Sequence, residues 1–150
     1  MKQAFLDLLW PLDRVCDPSR HHPERNVLYH SLQVFSWAKR STEDPDLLAA
    51  ALLHDVGKAV AFPDHAAVGA ELLEPFVSPR VVELVELHLD LLRHPNETRV
   101  RLCGTMLLAD LEALRRWDLA GRSTSARAPS IDAAVDTILD CQPWWSLQGE

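Results

Sequence analysis

LLAAALLHDVGK, residues 47–58, is the stretch on which the reading of the chain turns. It opens with Leu and Ala, both strong helix formers, then places His54 and Asp55 side by side and breaks at Gly57. Adjacent residues on a helix point about 100° apart. His54 follows Ala50 and Ala51 at helical spacing, and Asp55 follows Ala51 and Leu52. Both therefore fall near the apolar face, at the C-terminal end of a helix. A carboxylate buried there without a partner is costly, and a metal ion shared by the imidazole and the carboxylate removes the cost. A solvated His–Asp pair at a helix end is the other reading, and the dipeptide alone does not choose between them.

The flanking segments supply further candidates. Asn26 is a suitable N-cap for a helix to about Arg40, with Val27, His30, Val34 and Trp37 on one face. His30 is then turned inward, either as a hydrogen-bonded core residue or as a ligand. STEDP (41–45) is a capped turn, so this helix and the next are expected to form a hairpin that brings His30 to His54. Asp64 is expected to cap a helix over 65–74, with His65 in its first turn and Gly69 on the same face, where a neighbouring backbone could approach closely. Ser78 or Pro79 opens a helix with Val81, Leu84, Val85, His88 and Leu92 as its stripe. A single long helix is expected from Asn96 to about Trp117, with Cys103, Leu107, Asp110, Leu111, Leu114 and Asp118 along its inner side. His21, His22 and His94 read as surface residues.

HPERNVLYHSLQV (22–34), LLAAALLHDVGKA (47–59), DHAAVGAELL (64–73) and LEALRRWDLAGR (111–122), in this order, resemble the HD-domain superfamily of metal-dependent phosphohydrolases. The nearer resemblance is to the HD domain attached to bacterial tRNA nucleotidyltransferases, and it covers roughly residues 20–123. It implies an all-α fold, a compact bundle of about six to seven helices, forming one HD domain over 1–150 with a C-terminal helix and Trp-rich tail over 130–150. It also implies a ligand set of His30, His54, Asp55 and Asp118 for one metal, and of His65 and His88, bridged by Asp55, for a second. Asp110, in LLAD, resembles the last aspartate of other HD enzymes, but DxxGR at Asp118 is the preferred match.

Composition agrees with an ordinary soluble globular domain, 47% hydrophobic and 25% charged. A net charge of −7 argues against a long nucleic acid as partner, although a metal can supply positive charge locally for a small phosphorylated substrate. Three dispersed cysteines form neither a disulfide framework nor a thiolate zinc pattern and suit a reducing cytoplasm. The first residues lack a signal peptide's apolar core, and no apolar run approaches the roughly 18 residues needed to span a bilayer. Trp144 and Trp145 are expected to cover the core of this chain or of a second copy, which leaves a homodimer open.

A nitrogen and oxygen donor set without thiolate suits Mn, Fe, Co, Ni or Zn, one or two ions, and suits Mg less well. Asp55 and Lys58 are the candidate catalytic residues. Lys58 either neutralises a phosphoryl oxygen and protonates a leaving group or simply opposes the helix dipole. Lys58, Arg122 and Arg25 are candidate phosphate contacts, the arginines having a plain surface reading as well. The expected activity is hydrolysis of a small, nucleotide-type phosphate ester, as a phosphomonoesterase or a 2′,3′-cyclic phosphodiesterase, with no nucleotide addition to tRNA. One rival is an HD-type di-iron oxygenase, weakened because Leu92 stands where relatives that oxidise organophosphonates carry a lysine. Another is a non-catalytic HD module that binds a nucleotide or a partner protein.

Overall fold

Every residue from Leu47 to Leu53 is buried in the computed structural model, which describes residues 1–141. A helix that is apolar on all sides belongs at the centre of a bundle, and the other elements surround it. α1 (Lys2–Leu9) passes into a 3-10 turn over Trp10–Arg14, where Pro11 has no N–H to continue the α-helical ladder. α2 (Val27–Ser41) is capped by Asn26, whose side chain accepts from the Tyr29 amide at 2.8 Å. α3 (Pro45–Leu53) is capped by Asp44, which accepts from the amides of Asp46 and Leu47, and Pro45 at its first turn wastes no donor. A 3-10 turn over Val56–Ala59 follows, then α4 (His65–Leu73) and α5 (Pro79–Leu87), the latter capped by Ser78. α6 (Asp90–Arg93) and α7 (Pro95–Arg101) are short. α8 (Met106–Ala120) and α9 (Ile131–Asp140) are capped by Thr105 and Ser130.

α2 and α3 form the expected hairpin across the turn at 42–44, α8 packs on both, α4 packs on α5, and α9 lies against α1. Phe5, Leu9, Phe35, Leu52, Leu84, Leu114 and Ile138 meet in one hydrophobic core. The all-α bundle is as expected, with nine α-helical segments among the described residues. No β-strand occurs there, only an isolated bridge between Cys16 and Asn26. None of the described helices is long and apolar enough to cross a membrane.

Several details differ from the sequence reading. The single helix from Asn96 to Trp117 is two helices. Gly104 takes a φ of 77°, a conformation that favours glycine, and the Thr105 hydroxyl restarts the helix by accepting from the Leu108 amide at 3.2 Å. Cys103, on the far side of that break, is exposed. Trp37 is 41% exposed, with the Arg40 guanidinium over its ring. Asp64 precedes α4 without a side-chain cap bond. Trp144 and Trp145 lie outside the described residues.

Candidate metal centre

The sequence of α3 ends by handing its last turn to the site. His54 closes the helix and Asp55 starts the 3-10 turn, so their side chains leave the backbone in different directions yet both are buried, at 1% and 2% exposure. Gly57 in that turn packs against Gly69 of α4. A Cβ on Gly57 would lie 2.0 Å from the His65 carbonyl oxygen and 2.7 Å from the Gly69 nitrogen. Bare backbone at both positions is what lets α4 deliver His65 beside Asp55. His88 arrives from the C-terminal end of α5 and His30 from the inner face of α2. Asp118 comes from the last turn of α8, and Gly121 just beyond it lies so close to α2 that a Cβ would meet Val34 at 2.7 Å.

These side chains converge on Asp55. Its Oδ2 lies 3.3 Å from His54 Nε2 and 3.8 Å from His30 Nε2. Asp118 Oδ1 lies 2.9 Å from His30 Nε2 and 3.8 Å from His54 Nε2. On the other side, Asp55 Oδ1 lies 3.3 Å from His65 Nε2 and 3.6 Å from His88 Nε2, and those two nitrogens are 3.3 Å apart. Donor atoms of His30, His54 and Asp55 lie within 4.8 Å of one another, as do those of Asp55, His65 and His88.

The other ring nitrogens show how these imidazoles are set. His30 Nδ1 faces the Gly121 carbonyl at 2.8 Å, His54 Nδ1 the Ala51 carbonyl at 2.9 Å, His65 Nδ1 the Phe62 carbonyl at 2.9 Å, and His88 Nδ1 the Val85 carbonyl at 2.6 Å. A carbonyl only accepts, so each Nδ1 carries a proton. In the neutral rings the Nε2 lone pairs then point inward at carboxylate oxygens and at one another. His54 Nε2 is buried and makes no hydrogen bond. Lone pairs gathered in this way lack only a cation, and metal-bound histidines characteristically anchor their second nitrogen as these four do. The residues present fit a metal.

The family model for the HD domain matches residues 27–134, a span that runs from the start of α2 into α9. The chain belongs to the HD domain family.

That family is one of metal-dependent phosphohydrolases, in keeping with the resemblance carried by the histidines and HDVGK. Among curated relatives, the HD domain is 48% identical over 50 residues to the multifunctional CCA protein of Methylococcus capsulatus, covering 33% of this chain and 12% of that protein. It is 39% identical over 59 residues to the multifunctional CCA protein of a Janthinobacterium species, covering 39% of this chain and 14% of that protein. The chain thus spans a small part of the curated relatives it matches.

Electrostatics in the HD domain favour a cation at this point. Burial pushes the Asp55 carboxyl up, but His54, His65 and His88 outweigh it and hold the group well below the usual carboxylate range. Burial opposes ionisation of Asp118 as well, and His30 with His54 overcomes it. Burial lowers His30, yet Asp118 and Glu24 raise it to about 10. Without a metal, the site draws a proton to His30 instead.

All six expected ligands are therefore brought together. Lys58 joins them, its Nζ 3.2 Å from Asp55 Oδ2 and 3.3 Å from Asp17 Oδ2. Arg122 lines the cavity above, donating to the His21 carbonyl at 3.0 Å. Asp110 is elsewhere, paired with Arg80 at 2.9 Å, so Asp118 is the aspartate that closes the cluster. Arg25 does not join it. It is exposed, at a φ of 59°, in a tight turn where the Asn26 amide donates to the Glu24 carbonyl at 2.7 Å. His22, assigned to the surface from sequence, is half-buried and lines the cavity. Asp17 and Glu24 were missed altogether. Each sits in a loop without periodicity, and the only signal was a charged residue near a cluster of histidines.

Proposed function

We propose that this HD domain is a phosphohydrolase that uses one or two divalent transition-metal ions to hydrolyse a small phosphate ester of nucleotide type, as a phosphomonoesterase or a 2′,3′-cyclic phosphodiesterase. The observation that carries the reading is the convergence of four imidazole Nε2 atoms on Asp55 and Asp118, with Asp55, His65, His88 and Asp118 lining a cavity of about 440 Å³. His30, His54, Asp55 and Asp118 would hold one ion, and His65, His88 and Asp55 a second. A divalent cation supplies Lewis acidity toward water and toward phosphoryl oxygens. The donor set favours Mn, Fe, Co, Ni or Zn, with Mg less suited.

The protein's own groups would do the rest. Lys58 is buried and its ammonium is held charged, because Asp55 and Asp17 outweigh the burial that lowers it. It offers a fixed positive charge and a proton at the cavity floor. Arg122 and Arg115 line the same cavity, where a phosphate would meet guanidinium groups. Phe62, Leu89 and Leu92 give the wall an apolar side suited to the flat face of a base. Leu92 in this wall brings no amine, which keeps the oxygenase reading second.

The test is a panel of phosphomonoesters and phosphodiesters assayed with Mn, Co, Ni and Mg in turn. Nucleotide-type esters should be hydrolysed, with activity lost on chelation and restored by a transition metal. Oxygen uptake would favour the oxygenase, and the absence of any bound metal would favour the non-catalytic module.

A further inference from the structure

The carboxylate of Glu24 lies behind the metal centre and belongs to none of the expected ligands. Its side chain is 1% exposed. Oε1 lies 2.8 Å from His22 Nδ1 and 2.9 Å from His30 Nδ1, and Oε2 is buried without a hydrogen-bond partner. Burying a carboxylate this deeply is expensive unless it is well paired, and the backbone spends further energy to hold it. Arg25, the next residue, takes a φ of 59°, a left-handed conformation that a side-chain-bearing residue adopts only at a cost. The loop carrying Glu24 is tied to the fold by the Cys16–Asn26 bridge, with Asp17 N donating to Arg25 O at 2.8 Å and Val27 N to Val15 O at 3.1 Å. Strain and burial of this kind are retained where they hold something in place.

The group held is His30. Its Nδ1 already has the Gly121 carbonyl at 2.8 Å, which suffices to fix the ring's tautomer. Glu24 adds a negative charge at the same nitrogen, and a carboxylate on the far side of an imidazole strengthens its other nitrogen as a donor. We propose that Glu24 is a positioning residue of the metal centre, its buried carboxylate bracing His22 and His30 together so that His30 Nε2 is oriented and made a stronger ligand. The inference rests on the metal-binding reading given above and concerns affinity for the ion. In space, the order is His22, Glu24, His30, then Asp118.

The test uses Co(II) as the probe on the chelated chain, comparing wild type with Glu24→Gln and Glu24→Asp. Glutamine keeps shape and an acceptor oxygen but removes the charge. The expected result is a loss of Co(II) affinity on the order of 10–100-fold in Glu24→Gln, with a shifted Co(II) visible spectrum, while the melting temperature of the metal-free protein stays close to wild type. Glu24→Asp, which keeps the charge, should recover part of the affinity and guards against a Gln variant that fails to fold. Wild-type affinity and spectrum in Glu24→Gln would overturn the proposal and leave the Gly121 carbonyl as sole support of His30. Absence of Co(II) binding by wild type itself would overturn the metal reading along with it.

Discussion

The Nε2 atoms of His65 and His88 face each other at 3.3 Å, each within 3.6 Å of Asp55 Oδ1. Both rings have committed Nδ1 to a backbone carbonyl. Burial lowers His88, which keeps that ring neutral more firmly than the nearby Asp55 charges it. With Nδ1 protonated in both rings, their Nε2 atoms are the ones free to share an ion held between them. His65→Ala and His88→Ala should therefore each reduce metal content toward about one ion per chain and cut turnover sharply in a protein that still folds. If His88 only fills the core, His88→Ala should instead cost on the order of 1–3 kcal/mol of stability with metal content unchanged. Elemental analysis and melting curves on both variants separate the two.

The two aspartates of α8 should part company. Asp118→Ala removes an oxygen that lies 2.9 Å from His30 Nε2, and it should abolish turnover and weaken metal binding. Asp110→Ala breaks a partly exposed pair with Arg80, which also reaches Asp44 and Asp46. Its effect should be confined to stability, about 1 kcal/mol or less, with metal content intact. The opposite pattern would mean that the centre is closed by a different residue.

Acid and base should act in opposite senses on the loaded and chelated protein. In the metal-free fold His30 is raised from 6.5 to about 10. A raised folded value gives stability that is complete below the unfolded value, so the chelated protein should lose stability as pH rises from about 6.5 toward 10. A bound ion must displace the Nε2 proton, so metal affinity should rise with pH, and the loaded protein should lose its advantage on acidification. Melting curves across this range, with and without chelator, check both slopes. Equal slopes would remove His30 from the ligand set.

Gly57→Ala probes how the site is assembled. The added methyl would sit 2.0 Å from the His65 carbonyl oxygen, a backbone atom that cannot swing aside. Forced separation of α4 from the 3-10 turn should cost about 1–3 kcal/mol and carry His65 away from Asp55. Melting temperature and metal content should fall together. A variant that melts lower yet keeps full metal content would show that His65 is dispensable as a ligand.

Most of the cluster was legible because its candidate ligands ride on helices. His30, His65 and His88 sit at positions where the apolar period of 3.6 points them inward, and HDVGK fixed the pair between them. Gly69 was readable as a point of close approach for the same reason, and Gly57 is what approaches it. The break at Gly104 was hidden because the apolar pattern continues across it from Val100 through Leu107, and only a positive φ reveals the turn. His22, Glu24 and Asp17 lie in a loop whose path is set by a strained residue and one backbone bridge. No periodicity marks which of its side chains turn inward, so exposed Arg25 attracted attention as an anion contact while the buried acids beside it did not.

Lys58 has a consequence for the order in which the protein is made and equipped. Its ammonium lies within 3.3 Å of both Asp17 and Asp55, so the chain carries its own counter-charge to the bottom of the cavity. Small zinc domains depend on their ion to fold at all. Here the carboxylates already have a positive neighbour when the helices close, and the large hydrophobic core does not wait for an ion. On the metal-binding reading, a newly synthesised chain would complete its fold first and take up its ion afterwards through the cavity.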